Sequence, residues 1–292
     1  MKKLSIMFLI IYICINVSTV KIHAIAQKPY VAADGAVLMD AATGNILYSK
    51  NMHTPYPPAS TTKIMTALLA LENCKMEDKV VIGENPPKTD GNNICLFEGE
   101  EFTVKDLLYA VVNESANDCS NALAEHISSS VPLFAEKMNL RAKELGCRST
   151  NFTNPSGLYN TNHKTSAKDL AIIMRELMKH NEMKNIATTI KHSIMTTNKT
   201  MRERTIINHN RLLLKNSGYY YVDCEAGKTG YTIRSKHSFV ASAMKDGKRL
   251  IVALVHDGKK MFFKDAISLF NYGFENFELE AIDEGDDNEE TQ

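Results

Sequence analysis

Chemistry could start in this chain at Ser60-Thr61-Thr62-Lys63. A serine hydroxyl is a poor nucleophile until a base takes its proton, and a lysine can be that base when burial and a second cation lower its pKa. If a helix begins here, Ser60 and Lys63 lie three apart on one face, and the first-turn N–H groups point at any negative charge forming beside the hydroxyl. The same residues also fit a plain N-cap followed by a surface lysine. Ser-x-x-Lys recurs at Ser18 with Lys21 and at Ser242 with Lys245, so the motif alone decides nothing.

Two further groups add weight. Ser115-Ala116-Asn117 falls between two helical runs, where it could face a cleft. Ser115 with Asp118 also reads as a capping box for a helix over 122–127. Lys228-Thr229-Gly230 occurs once, at the end of a strand-like segment. It joins a cation, a hydroxyl and a residue without a side chain to obstruct a ligand.

These groups need elements to hold them. Residues 36–40 and 45–49 flank Thr43-Gly44 and predict a β-hairpin. Helical spacing of apolar residues follows Pro57-Pro58 and returns near Leu107, over 134–145, 167–179 and 263–274. Residues 225–231, 238–244 and 249–255 read as strands, the last two joined at Asp246-Gly247. With strands at both ends and helices between, the expected fold is α+β: the N-terminal hairpin joins the C-terminal strands in one antiparallel sheet. Helices flank that sheet, the middle of the chain forms a helical lobe, and the site lies in the cleft between them.

The chain's 292 residues are 44% apolar and 23% charged, enough to bury a core. Its 34 basic and 34 acidic side chains cancel, which argues against nucleic acid as a partner. The balance is uneven along the chain. Residues 1–26 hold Lys2, Lys3 and Lys21 with no acid, whereas 275–292 hold nine acids and no base, leaving the middle basic by six. A basic start, an apolar stretch and Ala24-Ile25-Ala26 predict an export signal over 1–26, with an uncleaved anchor as the alternative. Residues 27–277 would form the catalytic domain and 278–292 an acidic tail. Past the signal, five cysteines (Cys74, Cys95, Cys119, Cys147, Cys224) are an odd number with no Cys-x-x-Cys pair, fitting neither a disulfide framework nor a zinc site.

Taken in order, the three groups resemble those of the penicillin-interacting serine acyl-transfer enzymes. More narrowly, the chain is similar to D-alanyl-D-alanine carboxypeptidases of the low-molecular-weight penicillin-binding protein type. The likeness runs from about Ala32 to Phe277 and includes Asn154-Pro155-Ser156-Gly157-Leu158, Thr165-Ser166-Ala167 and Gly227 to Thr232. It implies the β-lactamase/penicillin-binding-protein-like fold, with peptidoglycan stem peptides ending in D-Ala-D-Ala as substrates and β-lactam antibiotics as covalent inhibitors. By this resemblance Ser60 is the nucleophile and Lys63 its base, Ser115 relays a proton to the leaving amine, and Asn117 holds the substrate amide. Lys228 and Thr229 receive the terminal carboxylate, Gly230 leaves room, and the N–H groups of Ser60 and Tyr231 form the oxyanion hole. No metal or organic cofactor is implied.

Two departures stand out. Relatives often carry an arginine near the start of the last helix, where Phe262 or Phe263 falls here; Lys259, Lys260 or Lys264 are the candidate substitutes, without the bidentate geometry of arginine. Membrane-bound relatives also add a C-terminal β-rich domain with an anchoring helix, so attachment here would come from an uncleaved signal. Other readings share the three groups. A D,D-endopeptidase is the main alternative, a serine β-lactamase lacks its Glu-x-x-Leu-Asn segment here, and an inactive penicillin-binding module would not need Ser60, Lys63 and Lys228.

Overall fold

The computed structural model describes residues 27–276. The expected export signal over 1–26 and the acidic tail lie outside the described residues. In chain order, strands β1 (Gly35–Asp40) and β2 (Ile46–Lys50) precede a short 3-10 turn, Ala59–Thr62, that leads into helix α1 (Lys63–Asn73). Strands β3 (Lys79–Val81) and β4 (Glu101–Thr103) follow, then α2 (Val104–Tyr109), α3 (Asn117–Ser128) and α4 (Val131–Glu144). Next come α5 (Ala167–Leu177), α6 (Asn181–Thr188), β5 (Lys191–Ile194) and β6 (Arg204–Ile207). The chain closes with β7 (Cys224–Thr232), β8 (Lys236–Lys245), β9 (Lys248–Asp257) and α7 (Phe262–Glu275).

The expected sheet is present, five-stranded and antiparallel in the order β2-β1-β9-β8-β7. Gly35 lies opposite Val255 and Asp40 opposite Leu250, so the first strand pairs with the last. Both faces of the sheet are covered, which is why β9 reads as an unbroken apolar run rather than an alternation. Ile251, Ala253 and Val255 pack with Val37 and Met39 into the core shared with the helical lobe, while Leu250, Val252 and Leu254 pack with Leu38 against Phe263, Leu269 and Phe270 of α7. Strand period two sorts neighbouring residues onto opposite faces.

Helix α1 is the axis of the lobe. Its residues from Lys63 to Ala70 are all buried, as expected for a helix surrounded by others. The N-terminus of α1 meets β7 at the edge of the sheet, and the cleft opens there. Among the described residues, no helix is long and apolar enough to cross a membrane.

Candidate active site

The turn before α1 presents Ser60 with its side chain half-buried, while Thr61, Thr62 and Lys63 behind it are buried. Lys63 Nζ lies 3.2 Å from Ser60 Oγ, 2.7 Å from Asn117 Oδ1 and 2.6 Å from the Ser156 carbonyl. An N-cap serine followed by a surface lysine does not describe this arrangement: Lys63 is fully enclosed. Burial pushes its pKa well below the ordinary lysine value, and the charge of Lys228 pushes it further. The result is an amine more easily kept neutral than an ordinary lysine, held against the hydroxyl it would deprotonate.

Ser115 sits where the chain leaves α2 through a π turn, with φ of 66° in the left-handed region. That conformation excludes it as an N-cap, which needs extended backbone. The capping-box reading fails on both residues. The N-cap of α3 is Ala116, and Asp118 turns inward to accept the N–H groups of Ile94, Leu96 and Cys119. Ser115 Oγ is thereby free to face β7, where Lys228 Nζ donates to it at 3.0 Å. Lys228 is buried too, and desolvation lowers its pKa to about 7. Asn117 is held from both sides, its Oδ1 accepting from Lys63 and its Nδ2 donating to the Asp90 carbonyl at 2.8 Å.

Gly230 brings the strand against Ser60. A Cβ added there would lie 2.8 Å from the Pro58 carbonyl oxygen and 2.9 Å from the Ser60 nitrogen, so only glycine permits this approach. Gly230→Ala is therefore expected to move β7 outward and slow acylation of Ser60 by ~10²-fold, the cost of misplacing reacting groups by about 1 Å. Stopped-flow labelling with a fluorescent penicillin, beside a circular dichroism spectrum unchanged from wild type, checks this. Thr229 is partly exposed beside Gly230, and the Tyr231 ring is 58% exposed at the mouth.

The place expected for an arginine holds aromatic rings. Phe262 starts α7 and stacks on His237 at 5.2 Å, and His237 in turn meets Tyr231 at 4.5 Å. Of the candidate lysines, Lys259 donates to Tyr30 Oη at 3.2 Å, Lys264 is exposed, and the charge of Lys260 is felt at His237. Lys260 is therefore the cation of the three that couples to this ring stack.

Ser156, Gly157 and His163 had no role assigned from sequence. The Ser156 carbonyl anchors Lys63, and Asn154 Oδ1 holds the turn by accepting from the Gly157 N–H at 2.8 Å. The turn-forming run Asn-Pro-Ser-Gly was the available signal. The rival Ser242 lies fully buried in β8, and Ser18 lies outside the described residues. The five described cysteines are all free. Cys119, near the Ser115 group, is fully buried with its pKa raised well above the ordinary value, first by desolvation and then by Asp118, so it is an unreactive thiol.

The model of the peptidase S11 family, described as D-alanyl-D-alanine carboxypeptidase, matches residues 22–259. The chain belongs to this family of serine peptidases. It is 40% identical over 227 residues to the D-alanyl-D-alanine carboxypeptidase DacF of Bacillus subtilis, covering 76% of this chain and 57% of that protein. The match therefore spans little more than half of that relative's length. With DacB2 of Mycobacterium tuberculosis the identity is 31%, covering 82% of this chain and 81% of the relative. Solved structures of the family superpose closely. The Streptomyces K15 DD-transpeptidase gives a TM-score of 0.79 at 30% identity, covering 86% of this chain and 100% of that one. The D-alanyl-D-alanine carboxypeptidase of M. tuberculosis gives 0.79 at 28%, covering 86% and 94%. The fold is that of the penicillin-binding D,D-peptidases, as the sequence resemblance implied.

Proposed function

We propose that this S11 peptidase is a serine D-Ala-D-Ala carboxypeptidase acting on peptidoglycan stem peptides. The observation that carries the reading is the convergence of two buried lysines on two half-buried serines, Lys63 on Ser60 at 3.2 Å and Lys228 on Ser115 at 3.0 Å. Ser60 Oγ attacks the carbonyl carbon between the two D-alanines as its proton passes to Lys63 Nζ. The N–H groups of Ser60 and Tyr231 receive the charge on the carbonyl oxygen. The C–N bond then breaks as Ser115 gives its proton to the leaving amine and is reprotonated at the expense of the proton Lys63 took, so that D-alanine departs with Lys63 neutral again and an ester left on Ser60. Water attacks that ester, giving the shortened peptide and restoring the hydroxyl. Lys228, with Thr229, attracts the terminal carboxylate.

β-Lactams would acylate the same serine. The chain would work outside the cytoplasmic membrane at the cell wall, a reading that rests on the basic and apolar pattern of residues 1–26.

One experiment tests the function. Incubated with a fluorescent penicillin and with a peptide ending in D-Ala-D-Ala, the wild type is expected to take a covalent label and release D-alanine, and Ser60→Ala to do neither. Absence of both in the wild type would overturn the assignment. Cleavage of crosslinked muropeptides alone would replace it with the endopeptidase, and rapid turnover of the penicillin with a lactamase. Labelling of Ser242→Ala should match the wild type.

A further inference from the structure

A chain of hydrogen bonds reaches the nucleophile's own peptide from inside the protein. Thr62 Oγ1 donates to the Ala59 carbonyl at 2.8 Å, and His163 Nε2 lies 2.8 Å from Thr62 Oγ1. The Thr153 N–H donates to the other ring nitrogen, His163 Nδ1, at 3.0 Å. A backbone N–H only donates, so Nδ1 carries no proton and the neutral ring carries its proton on Nε2. The direction of the relay follows: Thr153 N–H to the imidazole, the imidazole to the Thr62 hydroxyl, the hydroxyl to Ala59. Thr62 is fully buried and His163 is 1% exposed. The imidazole is kept neutral by burial first and the Lys63 charge second, which lower its pKa to about 4.

The end of this relay matters because of peptide geometry. The Ala59 carbonyl and the Ser60 N–H belong to one planar trans peptide and point in opposite directions. Fixing the carbonyl on one side sets the aim of the N–H on the other. Ala59 itself has φ of 52°, a left-handed conformation that a residue with a side chain keeps only when its surroundings hold it. Gly157 supplies a second constraint, since a Cβ there would lie 1.8 Å from the Ala59 oxygen. The peptide plane is thus held between the Thr62 hydroxyl and the Gly157 backbone.

We infer that His163 is a positioning residue for the oxyanion hole, acting through Thr62 to hold the Ala59–Ser60 peptide with the Ser60 N–H aimed at the oxygen that gains charge during acylation. Each bond in the relay polarises the next, so the Ser60 N–H also becomes a better donor. This inference rests on Ser60 being the acylated nucleophile.

The test separates binding from acylation. Penicillin labelling yields the non-covalent Kd and the maximal acylation rate, and an alkyl boronic acid, which bonds to Ser60 Oγ as a tetrahedral adduct, reports on the hole itself. Thr62→Val and His163→Ala are each expected to slow maximal acylation ~30-fold with unchanged Kd, somewhat less than the loss of a hole donor outright. Boronate affinity should fall by the same factor, and the double variant should be no slower than either single one. His163→Gln, which retains a donor and an acceptor, should recover most of the rate. A Thr62→Val protein acylating at the wild-type rate would overturn the inference. So would single effects that multiply in the double variant, or a glutamine variant no faster than alanine. If His163→Ala fails to fold, the near-isosteric Thr62→Val decides alone. A wrong nucleophile shows itself separately, because the wild type would then take no label.

Discussion

Lys63→Met is expected to slow acylation of Ser60 by ~10³ to 10⁴-fold, at the upper end of what a positioned general base contributes. Methionine fills much of the same buried volume and removes the amine that, among the described residues, hydrogen-bonds to Ser60 Oγ, 3.2 Å away. The Lys63 ammonium has acceptors in Asn117 and Ser156, so the native site tolerates its protonated form. Only the neutral amine accepts the serine proton, so the rate should rise with pH through the pKa of Lys63. That pKa is held well below the ordinary lysine value by burial and by Lys228. Removing the Lys228 charge raises it, and the acid limb of the acylation profile in Lys228→Met should move to higher pH. A profile of the maximal labelling rate in both variants measures each effect.

Lys228→Met itself is expected to abolish useful turnover and, at neutral pH, to make the protein more stable. The Lys228 pKa falls from 10.5 to about 7 on folding because the side chain is 4% exposed and desolvated. A shift of that size corresponds to roughly 5 kcal/mol of destabilisation. Its sign is set by where the extra proton sits. Between pH 7 and 10.5 the unfolded chain binds it and the native state does not, so wild-type stability rises across that window. Below the window the full penalty is present. Methionine escapes the penalty but leaves Ser115 without its donor, so a net gain of ~2 kcal/mol at pH 7 is expected, turning into a net loss of ~2 kcal/mol near pH 10.5, where the wild-type penalty has gone and the missing donor still counts. Urea unfolding of both proteins at the two pH values checks it. The site would then be a place where stability is given up for reactivity.

The sheet and its partners were legible because each strand is long and apolar. The strand predicted over 249–255 is β9, and the helix predicted over 263–274 is α7. The β3–β4 and β5–β6 pairs were not legible. In β3 only Val80 is buried, between exposed Lys79 and Val81, which is too little for a period to register. Ser60, Lys63 and the groups at Ser115 and Lys228 were readable as residue types in order. What brings them together was not. Asp118 stood at capping-box spacing, yet the left-handed backbone of Ser115 turned the serine towards Lys228 and the carboxylate inward. His163 carried no signal because its partners, Thr153 and Thr62, are ten and 101 residues away.

The pairing of β1 with β9 also governs when this protein can fold. Gly35 must find Val255, on the far side of nearly the whole described chain. Closing so long a loop is paid in entropy before any contact is returned. Until β9 emerges, β1 has only its hairpin partner β2, and an isolated hairpin is marginal in water. The helical lobe can gather early, but the β7 edge that carries Lys228 against Ser115 and Gly230 against Ser60 is joined to β1 and β2 only through β8 and β9. Catalytic competence therefore waits for β9, and a nascent chain short of residue 257 should bind no penicillin.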